Sequence, residues 1–589
     1  MSLPKKQSID SSASSSYDKS TAEARPPSGV KNVYSESDST IAAGSVAGDG
    51  SPRPTQNEFP ALKELEADIP AEHDIEWHYL TFDTEVPPLA SRPPPDLALP
   101  SLKKYESPFL WNNTRKFAVT IICAIATAIA AIASGSYNAA SGALQEKWNI
   151  SPVVVELGIT IFCIGFAIAP MLLAPFSEIN GRRPMFVASG ILLAASHAGC
   201  GGTNSFAGMC IARFFAGVGG STFSSIVGGV ISDIYVSEER NTPMVLFAAG
   251  ALFGTGLGPL YCGFIAQNTT WRWVFYHQAI LAGVAVAFMV VFFPETRGSV
   301  LLSKKAQTLN SYYEKLEENG FVGVRVPIDP STPEKGTRFA RLRYKTRGDE
   351  ERQGLLQMIT VSVCRPFHLL FTEAVVFFFS VWVAFAWAVL YLQFGSIPLV
   401  FQTNHNFDLQ QSGAVFAAIC VGSIIATVAS IVQDKLFVKY FPERAATPEG
   451  RLYFACFGSI LLPGGLFWFG WTSYSSIPWI VPSMGIACAT IGIFSIYLAV
   501  FNFLADAYHK YASSALAAQS CCRNMLGGIF PLVTRALFNN LGFPAASSLL
   551  GGIGCLLTLV PWVLVLYGPQ IRARSKIASQ IMAQPENTA

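Results

Sequence analysis

Apolar stretches of about twenty residues, each long enough to cross a bilayer, recur near residues 117–137, 154–175, 185–203, 207–234, 243–266 and 272–293. After a polar interval of roughly seventy residues, six more follow near 370–394, 411–432, 452–471, 478–504, 513–538 and 546–568. Backbone polar groups in lipid must be satisfied within their own segment, so runs of this length predict helices. The pattern predicts an all-α polytopic membrane protein: twelve transmembrane helices in two six-helix bundles. The first hundred or so residues are the opposite, rich in Ser, Pro and acid with no apolar stretch, and predict a disordered tail rather than a signal peptide.

Lys and Arg in the short loops set the orientation. One set of loops carries Arg182, Arg183, Arg240, Lys435, Lys439, Arg444, Arg451, Lys510, Arg572, Arg574 and Lys576, whereas the other offers little beyond Lys147, Arg272 and Arg535. Both termini and the central loop are therefore expected in the cytosol. The expected divisions are a disordered cytosolic tail over 1–105, a bundle over 106–293, a cytosolic central loop over 294–366, a bundle over 367–568 and a cytosolic tail over 569–589. The aromatic and Pro-rich stretch from "EWHYLTFDTEVPP" to "SPFLWNNTRKF" reads equally as a segment lying on the membrane surface and as a plain linker.

With 51% hydrophobic and only 14% charged residues, the composition agrees with a membrane protein and not with a soluble one of this length. The formal charge of +2 is scattered through loops and excludes a nucleic-acid stripe. Twelve cysteines without a CxxC pair and seven histidines without HExxH predict no metal site. No GxxxxGK[ST] loop is present, so ATP is not the driver, and no nucleophile and base stand at a defined spacing, so neither an enzyme nor a cofactor is expected.

The two halves echo one another. Asp233 and Asp506 end the fourth and tenth spans, 506 − 233 = 273 apart; Pro259 and Pro531 differ by 272, and Glu178 and Glu449 by 271. Parallel repeats of six spans are the architecture of a rocking secondary transporter.

Over about residues 105–575 the chain resembles the major facilitator superfamily, and within it the twelve-span drug:proton antiporter branch of fungi. The residues that carry the resemblance are Glu178, Gly181, Arg182 and Arg183 in "PFSEINGRRPMF", Arg213 in "RFFAGVGGS", and Gly250, Gly254, Gly258, Pro259 and Gly263 in "GALFGTGLGPLYCG". The stretches "WRWVFY", "PETRG", "PEGRL" and "DAYHKYASSALAA" add to it. The resemblance implies a proton-coupled antiporter that exports drug-like xenobiotics or secondary metabolites by alternating access. Alternatives are an exporter dedicated to one metabolite, such as an organic acid, glycolipid or polyamine, and a non-transporting membrane sensor. It also implies a plasma-membrane address, with the vacuolar membrane open, and small molecules, protons and lipid as the partners of a monomer.

Rocking needs a cytosolic latch, and Glu178, Arg182 and Arg183 can pair with each other and with Asp233 while Gly181 permits the turn; two arginines that only anchor topology are the alternative. Glu449, Arg451 and Asp506 are the matching group in the second half, and Arg523 is placed with them, either with a role in coupling like that of Arg213 or only as a partner of Asp506. Arg213 lies within a span, where a charge costs about 2.5–3.5 kcal/mol on insertion scales. The resemblance assigns it to coupling, and a structural arginine on backbone carbonyls is the alternative. Glu156 and Glu373 are the intramembrane acids available as proton carriers. The glycines of the fifth span allow close helix approach and Pro259 bends the helix. Candidates for a midplane substrate cavity are Tyr137, Asn138, Trp387, Tyr391, Gln393, Phe494, Tyr497 and Asn502; few of them carry charge, which suits large, uncharged or weakly charged amphipaths.

Overall fold

The computed structural model describes residues 75–87, 97–236, 239–319, 324–327, 337–350, 354–445, 447–508 and 511–574. The tail through residue 74, residues 575–589, Lys510 and the side chains of Arg451, Arg572 and Arg574 lie outside the described residues.

Six long helices form the first half: α1 (Asn113–Trp148), α2 (Pro152–Asn180), α3 (Arg182–Gly202), α4 (Phe206–Ile234), α5 (Asn241–Asn268) and α6 (Trp273–Phe292). Their ends follow from local chemistry. Ser151 caps α2 by accepting from the Val154 N–H, with Pro152 at the first helical position. Gly181 ends α2 and starts α3 with φ +99°, a conformation that a side chain strains against.

Two helices outside the bundle come next, α7 (Gly298–Glu318) and α8 (Leu355–Thr372). The second half contains α9 (Ala374–His405), α10 (Leu409–Tyr440), α11 (Tyr453–Thr472), α12 (Ile480–Tyr508), α13 (Ala512–Leu541) and α14 (Phe543–Gly568). Among the described residues eleven helices are long and apolar enough to cross a membrane. The expected span over 513–538 is α13, a 30-residue helix whose buried face carries Gln519, Arg523 and Asn524, and that polarity keeps it out of the count.

Within the first half α1 packs along α5, α2 along α4, and α3 along α4 and α6; within the second, α9 packs along α13 and α12 along α10 and α11. The halves meet along two seams, α2 against α13 and α5 against α10.

The central loop and the tail need correcting, because both contain folded structure. Strand β1 (Ile75–Tyr79) pairs in parallel with β3 (Thr337–Lys345), and β2 (Val324–Pro327) pairs antiparallel on the other edge of β3. Helix α7 covers this sheet. Leu309, Tyr312, Tyr313 and Leu316 recur at helical spacing and bury against Leu80, Leu342 and Tyr344. Glu317 accepts a two-pronged pair of hydrogen bonds from Arg343 at 2.8 and 2.9 Å and a third from Arg341 at 2.8 Å. Tyr79 of β1 donates to Glu350 at 2.6 Å, and Tyr105 reaches Thr308 of α7 at 2.9 Å. The tail expected to run unstructured to residue 105 thus supplies a strand from residue 75, and "EWHYL" is part of a sheet.

Candidate functional site

Between the halves lies a small cavity of about 20 Å³, lined by Thr127, Ser134 and Thr255 of the first half and by Trp387, Tyr391 and Asn524 of the second. Of the predicted cavity residues, Trp387 and Tyr391 line it, and Tyr497 stacks on Trp387 with ring centroids 5.1 Å apart. Gln393 is buried, its Oε1 without a hydrogen-bond partner among the described residues. Phe494 is fully buried in the core.

Three predicted placements change. Tyr137 belongs to the packing around Arg213, its hydroxyl donating to the Val155 carbonyl at 3.0 Å. Asn138 donates across the interface to the Phe394 carbonyl and lines a separate cavity of about 200 Å³. Asn502 donates to the Asn241 side chain at 2.8 Å, joining α12 to the start of α5.

A far larger concavity, about 830 Å³, is a groove over α1, α5, α6 and α10 with an almost wholly apolar lining. It includes the exposed Ile125, Ile280 and Ile424. Such a surface faces lipid, so volume does not mark the substrate site here.

Arg213 is fully buried in α4. Its Nε donates to the Gly158 carbonyl of α2 at 3.1 Å and its Nη1 to the Ala133 carbonyl of α1 at 2.9 Å. The rings of Tyr137 and Phe162 lie 4.8 and 4.4 Å from the guanidinium carbon. A Cβ at Gly158 would overlap the Tyr137 ring, so that glycine is what admits the cluster. The guanidinium therefore ties three helices together through carbonyls, and no carboxylate is within ion-pair distance among the described residues.

Arg523 is placed differently from its expected pairing with Asp506. It lies in the core of the second half with its guanidinium carbon 4.5 Å from the Trp387 ring centre and 5.0 Å from that of Tyr497. No ion pair to it forms among the described residues.

The two intramembrane acids lie at opposite ends. Glu156 of α2 lines the 200 Å³ cavity together with Arg535 of α13, Asn138 and Gln402. Glu373 precedes the first residue of α9 and accepts from Tyr508 at 3.2 Å.

The expected charges gather at this turn, with a further acid among them. Arg182 pairs with Asp233 at 3.0 Å and also donates to Ser177; Arg297 reaches the other Asp233 oxygen at 3.1 Å. Glu178 makes no ion pair with Arg182, Arg183 or Asp233. Its expected place is taken by Glu295, whose carboxylate accepts from the backbone N–H groups of Arg182, Arg183, Thr296 and Arg297 at 2.9–3.2 Å. Two of those donors are the unpaired N–H groups that open α3, where a helix favours negative charge. A Cβ at Gly181 would overlap this carboxylate. "PETRG" held the signal for Glu295, but nothing local in it shows that the acid returns to a turn over a hundred residues earlier.

In the second half Glu449 is buried beside Gly568 at the end of α14, and Asp506 lies at the end of α12.

Gly250, Gly254 and Gly258 present one face of α5 to the backbone of Ala124, Ala128 and Ile132 in α1, where a Cβ would collide. Gly263 lies on the other face, against Leu409 and Gly413 of α10, across a seam between the halves. Pro259 lies inside α5, and its carbonyl approaches Gly413.

The sequence profile of the Major Facilitator Superfamily matches residues 123–532. The MFS-type efflux pump MFS2 of Trichophyton rubrum is 33% identical over 479 residues, covering 80% of this chain and 76% of that protein. The multidrug transporter mdrA of Aspergillus fumigatus, of the same superfamily, is 33% identical over 476 residues, covering 80% and 74%. Among solved structures, the proton:xylose symporter XylE aligns with a TM-score of 0.53 at 17% identity, covering 77% of this chain and 97% of that one, a likeness of fold.

Proposed function

Because this chain belongs to the Major Facilitator Superfamily, and so is a multi-pass membrane transporter and not an enzyme, we propose that it exports drug-like or secondary-metabolite molecules in exchange for protons. The observation that carries the reading is the cavity between the halves, hydroxyl-lined on one side and aromatic on the other. It is bounded by inter-half hydrogen bonds at both ends, Asn138 to Phe394 and Asn502 to Asn241. A molecule held there is released by breaking one set of contacts while the other holds. Export as the direction is supported by relatives whose names are efflux pump and multidrug transporter.

Glu156 is our choice of proton carrier. It shares its cavity with Arg535 of α13, so binding and release of the proton can follow the movement of α13 against α2. Arg213 contributes to coupling by position: it holds α1, α2 and α4 as one body, so a shift at Glu156 is passed to Ser134 and the cavity. The Arg182–Asp233–Arg297 pairs and the Glu295 cap form the cytosolic latch. The plasma membrane is the proposed address and the monomer the working unit.

The test is efflux of a fluorescent xenobiotic from proteoliposomes under an imposed pH gradient, with and without a protonophore. The expected result is gradient-dependent efflux that Glu156→Gln abolishes; efflux indifferent to the gradient removes antiport.

A further inference from the structure

Arg213 and Arg523, both 1% exposed or less, are satisfied very differently. Arg213 has two backbone carbonyls. Arg523, 1% exposed in α13, has neither a carbonyl nor a carboxylate; Nη2 reaches Ser520 Oγ only at 3.5 Å, while Nε and Nη1 have no hydrogen-bond partner among the described residues. The rings of Trp387, Tyr497 and Phe501 surround it at 4.5, 5.0 and 5.8 Å. Rings held this way return part of the cost of burying a cation, and burial of an unpaired ion costs more than they return. A charge in a membrane span therefore calls for a partner that the described residues do not supply.

Other donors beside it are equally idle. Trp387 Nε1 and the Tyr497 hydroxyl, both on rings that touch the guanidinium, have no partner among the described residues. Trp387 and the next residue of α13, Asn524, line the cavity between the halves.

We infer that Arg523, Trp387 and Tyr497 form an anion-binding subsite, and that the transported molecules include monocarboxylates with an aromatic or apolar body. A carboxylate has two oxygens that match the Nε and Nη edge of a guanidinium, the indole N–H and phenol hydroxyl can complete its shell, and the ring faces suit the apolar remainder. A cation would meet Arg523 as a like charge, and a neutral molecule would leave the guanidinium unpaired. This narrows the uncharged or weakly charged class expected from sequence to weak acids, and it rests on the reading of the inter-half cavity as the substrate site.

The experiment is equilibrium binding to the full-length protein in nanodiscs, without any gradient. Tritiated 1-naphthoate is the probe, with 1-naphthamide and 1-naphthylmethylammonium as neutral and cationic competitors of the same body. The wild type is expected to prefer the carboxylate over the amide by about tenfold or more, the range of a charge-assisted pair. Arg523→Gln should erase that preference and leave amide affinity within about twofold, while Arg523→Lys recovers part of it, since a point charge replaces a fork. Trp387→Phe, which keeps an aromatic face but removes the indole N–H, gives a second measurement should Arg523→Gln fail to fold: it should weaken naphthoate more than the amide.

Equal wild-type affinity for naphthoate and amide overturns the inference, as does unchanged naphthoate binding in Arg523→Gln. Because no flux is measured, absence of efflux in proteoliposomes would remove the exporter reading and leave the subsite standing. Gradient-driven efflux of neutral compounds with no carboxylate preference would do the reverse.

Discussion

Gly181 stands at φ +99° with the Glu295 carboxylate where a Cβ would go, so two separate constraints fall on one residue. Gly181→Ala should cost about 1–3 kcal/mol from the backbone alone and displace the Glu295 cap as well. Thermal unfolding in detergent should show the loss, with turnover falling alongside it. The same geometry separates two acids close to the latch. Glu295→Gln weakens a carboxylate that accepts four backbone N–H groups, whereas Glu178→Gln removes a charge that pairs with none of the latch residues. Labelling of single cysteines on the cytosolic face should therefore rise in the Glu295 variant and change much less in the Glu178 variant; equal labelling would return the latch to Glu178. At Arg213, substitution by Lys replaces a fork that spans two carbonyls on two helices with a single point. Gradient-driven efflux should drop steeply in Arg213→Lys and vanish in Arg213→Ala while both proteins still reach the membrane.

At the scale of an element, β1 is a strand donated from a segment that composition alone assigns to the tail. Deletion of residues 1–70 is expected to leave folding and flux per delivered molecule unchanged, because that segment lacks core-forming residues. Deletion through residue 80 removes the partner of β3 and also Leu80, which is buried under α7. Limited proteolysis between α7 and α8 should then accelerate sharply. The module also has a pH dependence whose sign follows from Glu317. Burial raises its pKa, but hydrogen bonds and charge from Arg343 and Arg341 outweigh that and leave it below the ordinary carboxylate value. A carboxyl lowered in the folded state stabilises above its unfolded pKa, and that contribution is lost as pH falls through the folded one. Protease sensitivity of this segment should therefore stay flat at neutral pH and rise only below about pH 4.5.

For the molecule as a whole, the halves touch at both ends of the cavity, at Asn138 with Phe394 and at Asn241 with Asn502. Alternating access requires these contacts to open in turn. Asn241→Cys with Asn502→Cys, oxidised to a disulfide, should hold the cytosolic end shut and reduce flux to background, with recovery on reduction; undiminished flux in the cross-linked protein would exclude a rocking motion that opens this end. The glycines divide the work of that motion. Gly250, Gly254 and Gly258 fix α5 to α1 inside one half, while Gly263 and Gly413 let α5 and α10 touch between halves. Bulk at Gly254 should thus impair folding, and bulk at Gly413 should bear more on turnover.

Spans and the six-plus-six repeat could be read directly from the chain, since a helix in lipid satisfies its own backbone and so needs only length and apolarity. The pairing of Arg182 with Asp233 and the turn at Gly181 were legible too, since charges at neighbouring span ends find one another and a sharp turn favours glycine. Other partners were not legible. Glu295 reaches Arg182 from across the sixth helix, β1 finds β3 across more than two hundred residues, and Arg523 turns into an aromatic core and away from Asp506. These pairings depend on which helix faces lie together. Hydropathy is a property of each segment taken alone and does not record that, so the helices were determined by the sequence, and the contacts between them by how those helices pack.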